Sequence, residues 1–202
     1  MESGGRRAEK KAETRAALLE AALELFERDG FAGTTVDAIA ERAGVSRATY
    51  FNYYETKEGV LIAYYRGVLE GELNRLEEAV ARDTPARRFF EEQFEMGLRT
   101  AHREGERFRV LFREVFSNRR VLEANQELAA RVTTIYFAAI QGAVTRGELR
   151  SDLDVAGAVG VLGAVWSSTL VERLYTPLDL DTLIQRMRAK VDIVFRGIVG
   201  SG

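Results

Sequence analysis

Apolar residues recur every three or four positions along this chain, and no strand-like alternation of apolar and polar residues appears anywhere. Spacing of three and four places side chains on one face of an α-helix, whereas a strand needs a period of two. The expected fold class is therefore all-α. Both prolines, Pro85 and Pro177, fall between periodic segments, as they must, because an interior proline removes a helix hydrogen bond. Nine helices are expected. The first runs from about Ala8 to Arg28 and stops at Asp29-Gly30, where glycine suits a helix C-terminus. The second is the short "VDAIAERA" after Thr34-Thr35, and the third starts at Ser46. Thr56 caps the fourth, and Asp83-Thr84-Pro85 opens the fifth. Gly105 separates a sixth, a seventh follows "SNRR", and the turn "RGELRSDLD" leads into an eighth. Pro177 divides that helix from the ninth, which carries Leu183, Ile184, Met187 and Val191.

A chain of 202 residues, 46% hydrophobic and 30% charged, has the balance of an ordinary soluble protein with a real core. Its N-terminal "MESGGRRAEKKAETR" has no apolar segment of the kind a secretory signal needs, and a disordered tail is expected over about residues 1–8. The most apolar run, Val155–Val171, is shorter than the ~20 residues that span a bilayer. Its Ser167, Ser168 and Thr169, with Glu172 and Arg173 adjoining, argue for a helix buried in protein. A cytoplasmic protein with no membrane association is expected. With no cysteine and a single histidine, His102, the chain lacks a thiolate site, and no "GxSxG", phosphate loop or "HExxH" is present. No enzyme activity, metal or cofactor is expected. The net charge of −2 announces no nucleic-acid partner. Residues 1–57 hold nine basic and ten acidic residues, but five of the nine basic ones precede residue 16.

The stretch "VDAIAERAGVSRATYFNYY" has the parts of a helix-turn-helix. A short helix ends at Ala43, Gly44 supplies a left-handed turn residue, Val45 fills the angle, and Ser46 caps a second helix. Such a unit offers its second helix to the major groove. On a wheel of 3.6 residues per turn, Tyr50 and Tyr54 share the face that packs on Val45 and the first helix of the motif. Phe51 and Tyr53 are left on the open arc beside Arg47, Thr49 and Asn52, residue types that read bases and phosphates. The competing reading is a small helical hairpin whose aromatics all pack on the body of the protein.

The segment "TTVDAIAERAGVSRATYFNYYETKEGVL" resembles the DNA-binding domain of the TetR family of bacterial transcriptional regulators. The resemblance is specific over residues 10–65 and architectural beyond them. It implies a DNA-binding domain over residues 1–57 and an effector-binding and dimerisation domain over 58–202. It also implies operator contacts at Arg47, Thr49, Phe51, Asn52, Tyr53 and Lys57, with Thr35 and Ser46 capping helices and touching phosphates. Two positions depart from the family's habit. Phe51 stands where Tyr is usual and lacks the hydroxyl that holds a phosphate, though it can pack on a thymine methyl. Tyr53 stands where His is frequent.

The resemblance further implies a homodimer and a small-molecule pocket. The residues agree independently with burial of the eighth helix, which is apolar around most of its surface. Burial between two subunits through helices eight and nine satisfies it, and so does burial inside one bundle. A two-fold dimer sets two reading helices about 34 Å apart on a pseudo-palindromic operator. Phe94, Phe108, Phe112, Tyr136, Phe137 and Trp166 lie on helices that would enclose the pocket. They read either as plain core or as the lining for an apolar or aromatic effector. The expected function is repression of transcription, relieved when the effector shifts the fourth helix. The alternative is an architectural DNA-binding protein of the same fold with no effector.

Overall fold

The computed structural model describes residues 2–198. All regular structure among them is helical, in nine helices. These are α1 (Glu2–Gly33), α2 (Val36–Arg42), α3 (Arg47–Phe51) and α4 (Lys57–Ala81), then α5 (86–104) and α6 (106–117), two halves of Ala86–Ser117. They are followed by α7 (Arg119–Thr145), α8 (Val155–Tyr175) and α9 (Leu180–Ile198). Gly105, at φ 55° and ψ −122°, parts α5 from α6 in a conformation open to glycine alone.

Two boundaries differ from expectation. The disordered tail expected over about 1–8 is helical from Glu2 onward, and Met1 lies outside the described residues. The run from Arg6 to Arg15 is nearly all Ala, Glu, Lys and Arg, residues of high helix propensity, and it extends α1 as a mostly exposed segment until Arg15 reaches over the Tyr54 ring at 5.8 Å. Helix α7 begins inside "SNRR" rather than after it, because Asn118 Oδ1 accepts from the Arg120 N–H at 3.1 Å and so supplies the cap.

The chain divides into two compact units. The first holds residues 2–68 and 105–126, so it runs on past residue 57 and takes in α6. Its core is Leu18, Ala22, Phe26, Ile39, Tyr50, Val60 and Leu61, with Val110 of α6 packed against it. Arg107 adds polar ties from α6 to α1, at 2.5 Å to Glu20 and 3.3 Å to Glu27.

The second unit holds 69–104 and 127–198. Phe89, Phe90, Phe94, Leu98, Ile140, Leu162, Leu183 and Met187 are fully buried there. Helices α8 and α9 pack together and bury Leu162, Leu170, Leu183 and Val191 in the unit, and Lys190 Nζ bridges them by donating to Glu172 Oε1 at 2.7 Å. Among the described residues α8 alone is long and apolar enough, by length and composition, to cross a membrane. Only a third of its apolar window is buried, and Val161, Val171 and, on α9, Ile193 (71%) stay exposed.

Candidate nucleic-acid interface

The geometry of the motif follows from two caps and one glycine. Thr35 Oγ1 accepts from the Ala38 N–H at 3.1 Å and starts α2. At the other end Gly44 (φ 69°) donates to Glu41 O, and Val45 donates to Ala40 O, both at 3.0 Å. That pair of bonds is a Schellman motif, which satisfies the last carbonyls of α2 and turns the chain. Ser46 Oγ then accepts from the Thr49 N–H at 3.0 Å and starts α3. Both cap hydroxyls are thus occupied by their own helices. Loss of either cap costs about 1 kcal/mol.

Three of the four aromatics lie as the helical wheel requires, and Tyr53 does not. Tyr50 and Tyr54 are buried, while Phe51 is 44% exposed. The Tyr50 ring meets Phe51 edge-on at 5.6 Å and lies 5.9 Å from Tyr54. Burial raises the Tyr50 phenol far above its ordinary value, so it stays neutral and donates to Thr56 O at 3.0 Å. Tyr53 is only half-exposed and packs against the core of the unit. Helix α3 ends at Phe51, so Asn52 and Tyr53 lie in the following turn, where a wheel of 3.6 no longer describes direction.

Arg47, Thr49, Phe51 and Asn52 come together on the open side. Arg47 Nη1 donates to Asp37 Oδ2 of α2 at 2.5 Å, and its guanidinium lies 5.5 Å from the Phe51 ring centroid. The Thr49 and Ser46 hydroxyls are 2.8 Å apart. Asn52 is exposed and serves as C-cap of α3.

Lys57 is placed differently. Its ammonium donates to Phe31 O at 2.6 Å and Thr34 O at 3.0 Å, approaches Ala32 O at 3.5 Å, and sits 4.4 Å above the Phe31 ring. The residue is half-buried. These carbonyls follow Gly30, which breaks α1 at φ 76° and ψ 162°, and Phe31 O also accepts from the Thr34 N–H at 3.4 Å. The sequence marks the glycine but not the direction of the carbonyls after it, so neither this clip nor the Asp37 contact was foreseen. Burial raises the Glu114 carboxyl on α6 above its ordinary value, with Lys57 the first charge to oppose the rise.

Of the six candidate pocket aromatics, three come together in the second unit. Phe94 stacks on Trp166 at 5.2 Å and meets Tyr136 at 6.1 Å. Trp166 fits because Gly97 has no side chain, since a Cβ there would stand 2.5 Å from its ring. Phe137 is 43% exposed. Phe108 and Phe112 belong to the first unit and stack on each other at 5.5 Å. The second unit also has an open groove of about 370 Å³ lined by Pro85, Arg87, Glu148, Leu149, Phe195 and Arg196. Among the described residues no cluster of three or more His, Cys, Asp or Glu is arranged to hold a metal ion.

A capped helix-turn-helix with an Arg- and Thr-bearing second helix, joined to a separate helical unit, is the arrangement that places a helix for the major groove. The family described as "Bacterial regulatory proteins, tetR family" matches residues 18–64, the segment that holds the helix-turn-helix. The chain is 39% identical over 66 residues to the HTH-type transcriptional regulator RutR of Escherichia coli K12, covering 33% of this chain and 31% of that protein. The chain thus spans about a third of the length of RutR. It is 27% identical over 169 residues to the HTH-type transcriptional regulator SrpR of Pseudomonas putida, with 80% and 76% covered. Among solved structures it is similar to Thermus thermophilus FadR, a TetR-family repressor in complex with lauroyl-CoA. That match has TM-score 0.70 and 25% identity, over 93% of this chain and 96% of that one.

Proposed function

We propose that this chain is a cytoplasmic, homodimeric transcriptional repressor that binds a pseudo-palindromic operator through α3. The observation that carries the reading is the partition of the aromatics, with Tyr50 and Tyr54 buried and Phe51 left open beside Arg47, Thr49 and Asn52. These four are the base- and phosphate-reading residues. Tyr53 reaches the backbone from the turn, and Thr35 and Ser46 stand beside phosphates through the helix starts they cap. Lys57 holds α4 to the end of α1 instead of contacting a phosphate. The exposed apolar residues of α8 and α9 support dimerisation through those two helices.

The effector is small and apolar or aromatic, as the cluster of Phe94, Tyr136 and Trp166 supports. The lauroyl-CoA in the Thermus FadR complex shares only its apolar acyl chain with such an effector, since its CoA part is large and anionic. Effector entry displaces Trp166 from Gly97 and moves α4, which runs from the second unit into the first and ends on the clip at Lys57. The alternative, a DNA-binding protein of this fold with no effector, is favoured by one observation: the ring of Trp166 already fills the space over Gly97.

The test is direct. A duplex carrying the gene's own upstream region is retarded by the full chain, with affinity falling steeply as salt rises. Lauroyl-CoA or an aromatic acid then releases it and changes the fluorescence of Trp166, the one tryptophan in the chain. Absence of retardation on any duplex ends the regulator reading. Retardation that no apolar compound relieves leaves the alternative.

A further inference from the structure

Arg47 does not stand alone on the open face. It is tied to Asp37 across ten residues of sequence, from one helix of the motif to the other. Both side chains remain well exposed, at 61% and 62%. A solvated ion pair of this kind contributes little to stability, so stability alone is a poor reason for it. Its effect on geometry is larger. The guanidinium is held at one nitrogen by a carboxylate and lies 5.5 Å from the Phe51 ring centroid, which biases it toward one orientation. A planar fork of fixed orientation matches O6 and N7 of guanine. A guanidinium free to swing pairs equally well with any phosphate, and such contacts carry no sequence information. The Asp37 carboxylate also repels phosphates, so the tied pair attracts DNA of arbitrary sequence less than a bare arginine would.

We propose that Asp37 is a positioning residue that sets specificity, holding Arg47 for a guanine in the major groove and keeping it from indiscriminate phosphate contacts. This rests on the DNA-binding reading above. It also gives Phe51 a role that tyrosine's hydroxyl does not supply, as an apolar wall for the guanidinium.

The experiment uses the full chain. Selection from a random duplex pool gives the preferred site of the wild type. Competition against duplexes changed one base pair at a time then gives the preference at each position. The pair read by Arg47 is the one whose preference is lost in Arg47→Ala. In Asp37→Ala and Asp37→Asn, preference for guanine at that pair falls about tenfold, a part of the discrimination a well-held guanidinium provides. Affinity for random duplex rises at the same time. In the Arg47→Ala background the same changes leave base preference where Arg47→Ala put it, because Asp37 acts through Arg47. Circular dichroism melts show whether each variant is folded, and Asp37→Asn, which keeps the size of the side chain, serves if Asp37→Ala does not fold. Equal gains on preferred and random duplexes with the guanine preference intact reduce Asp37 to a repulsive charge and overturn the proposal. A wild type that selects no sequence overturns the DNA-binding reading and this proposal with it.

Discussion

Replacing Lys57 by methionine separates two roles that a basic residue can take next to a reading helix. Methionine keeps the unbranched apolar stem but removes the ammonium. The structure then loses charge-assisted hydrogen bonds to Phe31 O and Thr34 O, at 2.6 and 3.0 Å, and the contact over the Phe31 ring. The 3.5 Å approach to Ala32 O is at the limit of a hydrogen bond and adds little. Hydrogen bonds to charged groups contribute about 1.5–3 kcal/mol each, and the lower end applies because Lys57 is only half-buried. The cation–π contact adds about 0.5–1 kcal/mol at a partly exposed site. Water reaches part of the vacated carbonyls and recovers some of the loss. The expected destabilisation is therefore about 2–4 kcal/mol, or roughly 5–15 °C in melting temperature for a chain of this size.

DNA binding supplies the second readout. A lysine that neutralises a phosphate releases a counterion, and its removal lowers the slope of log affinity against log salt by about 0.9 per chain. A lysine that only clips α4 to α1 leaves that slope unchanged. Thermal melts and salt titrations on Lys57→Met thus read the two roles separately. An unchanged melting temperature with a slope lowered by about 0.9 per chain would refute the clip and restore Lys57 to the phosphate backbone.

Gly97→Ala drives a Cβ to 2.5 Å from the Trp166 ring, which is itself stacked on Phe94. The strain of about 1–3 kcal/mol exceeds the ~1 kcal/mol that alanine gains in helix propensity, so stability falls and the Trp166 emission shifts; a higher melting temperature would show the ring free to swing away. Glu95 is held below its ordinary value near 4.5 by the hydrogen bond from Arg99, against the opposing effect of burial, with Arg188 adding to it. A depressed carboxyl contributes stability that is fully present above its unfolded value and is lost as pH falls through its folded value. Glu95→Gln is accordingly less stable than wild type near neutrality, and the difference closes as pH drops below about 4.5; a difference constant with pH would mean that the ion pairs contribute nothing.

What could be read in the sequence was whatever depends on local spacing. The helical period, the caps Thr35 and Ser46, the left-handed Gly44 and the opposite fates of Tyr50 and Phe51 need only residues a few positions apart. What could not be read depends on where backbone and side chains meet across the chain. Lys57 finds its partners 23 to 26 residues upstream, and they are carbonyls, which every residue has. Asp37 reads as an ordinary acidic residue in a first helical turn until the bend at Gly44 brings Arg47 beside it. Phe108 and Phe112 share a helical stripe that looks like pocket lining. Arg107 and Val110, on the same helix, join it to the first unit instead, through Glu20, Glu27 and the core around Phe26.

The shortness of α3 links reading to regulation. A helix of five residues has too few internal hydrogen bonds to hold its own direction. Its position is set by what grips it: the buried Tyr50, the Tyr50 bond to Thr56 O, and the start of α4 fixed by Lys57 to the end of α1. Two of those three grips lie at the first turn of α4 or immediately before it. A small displacement of that turn therefore moves α3 without unfolding it, and Arg47 moves with it relative to Asp37, which sits on α2. On the proposed mechanism, an effector that acts through α4 changes both where α3 lies and how firmly Arg47 is aimed. Release then shows first as lost preference among sequences and only afterwards as lost affinity for DNA in general. An effector titration on preferred and random duplexes in parallel would show that order, and a simultaneous, equal loss on both would exclude it.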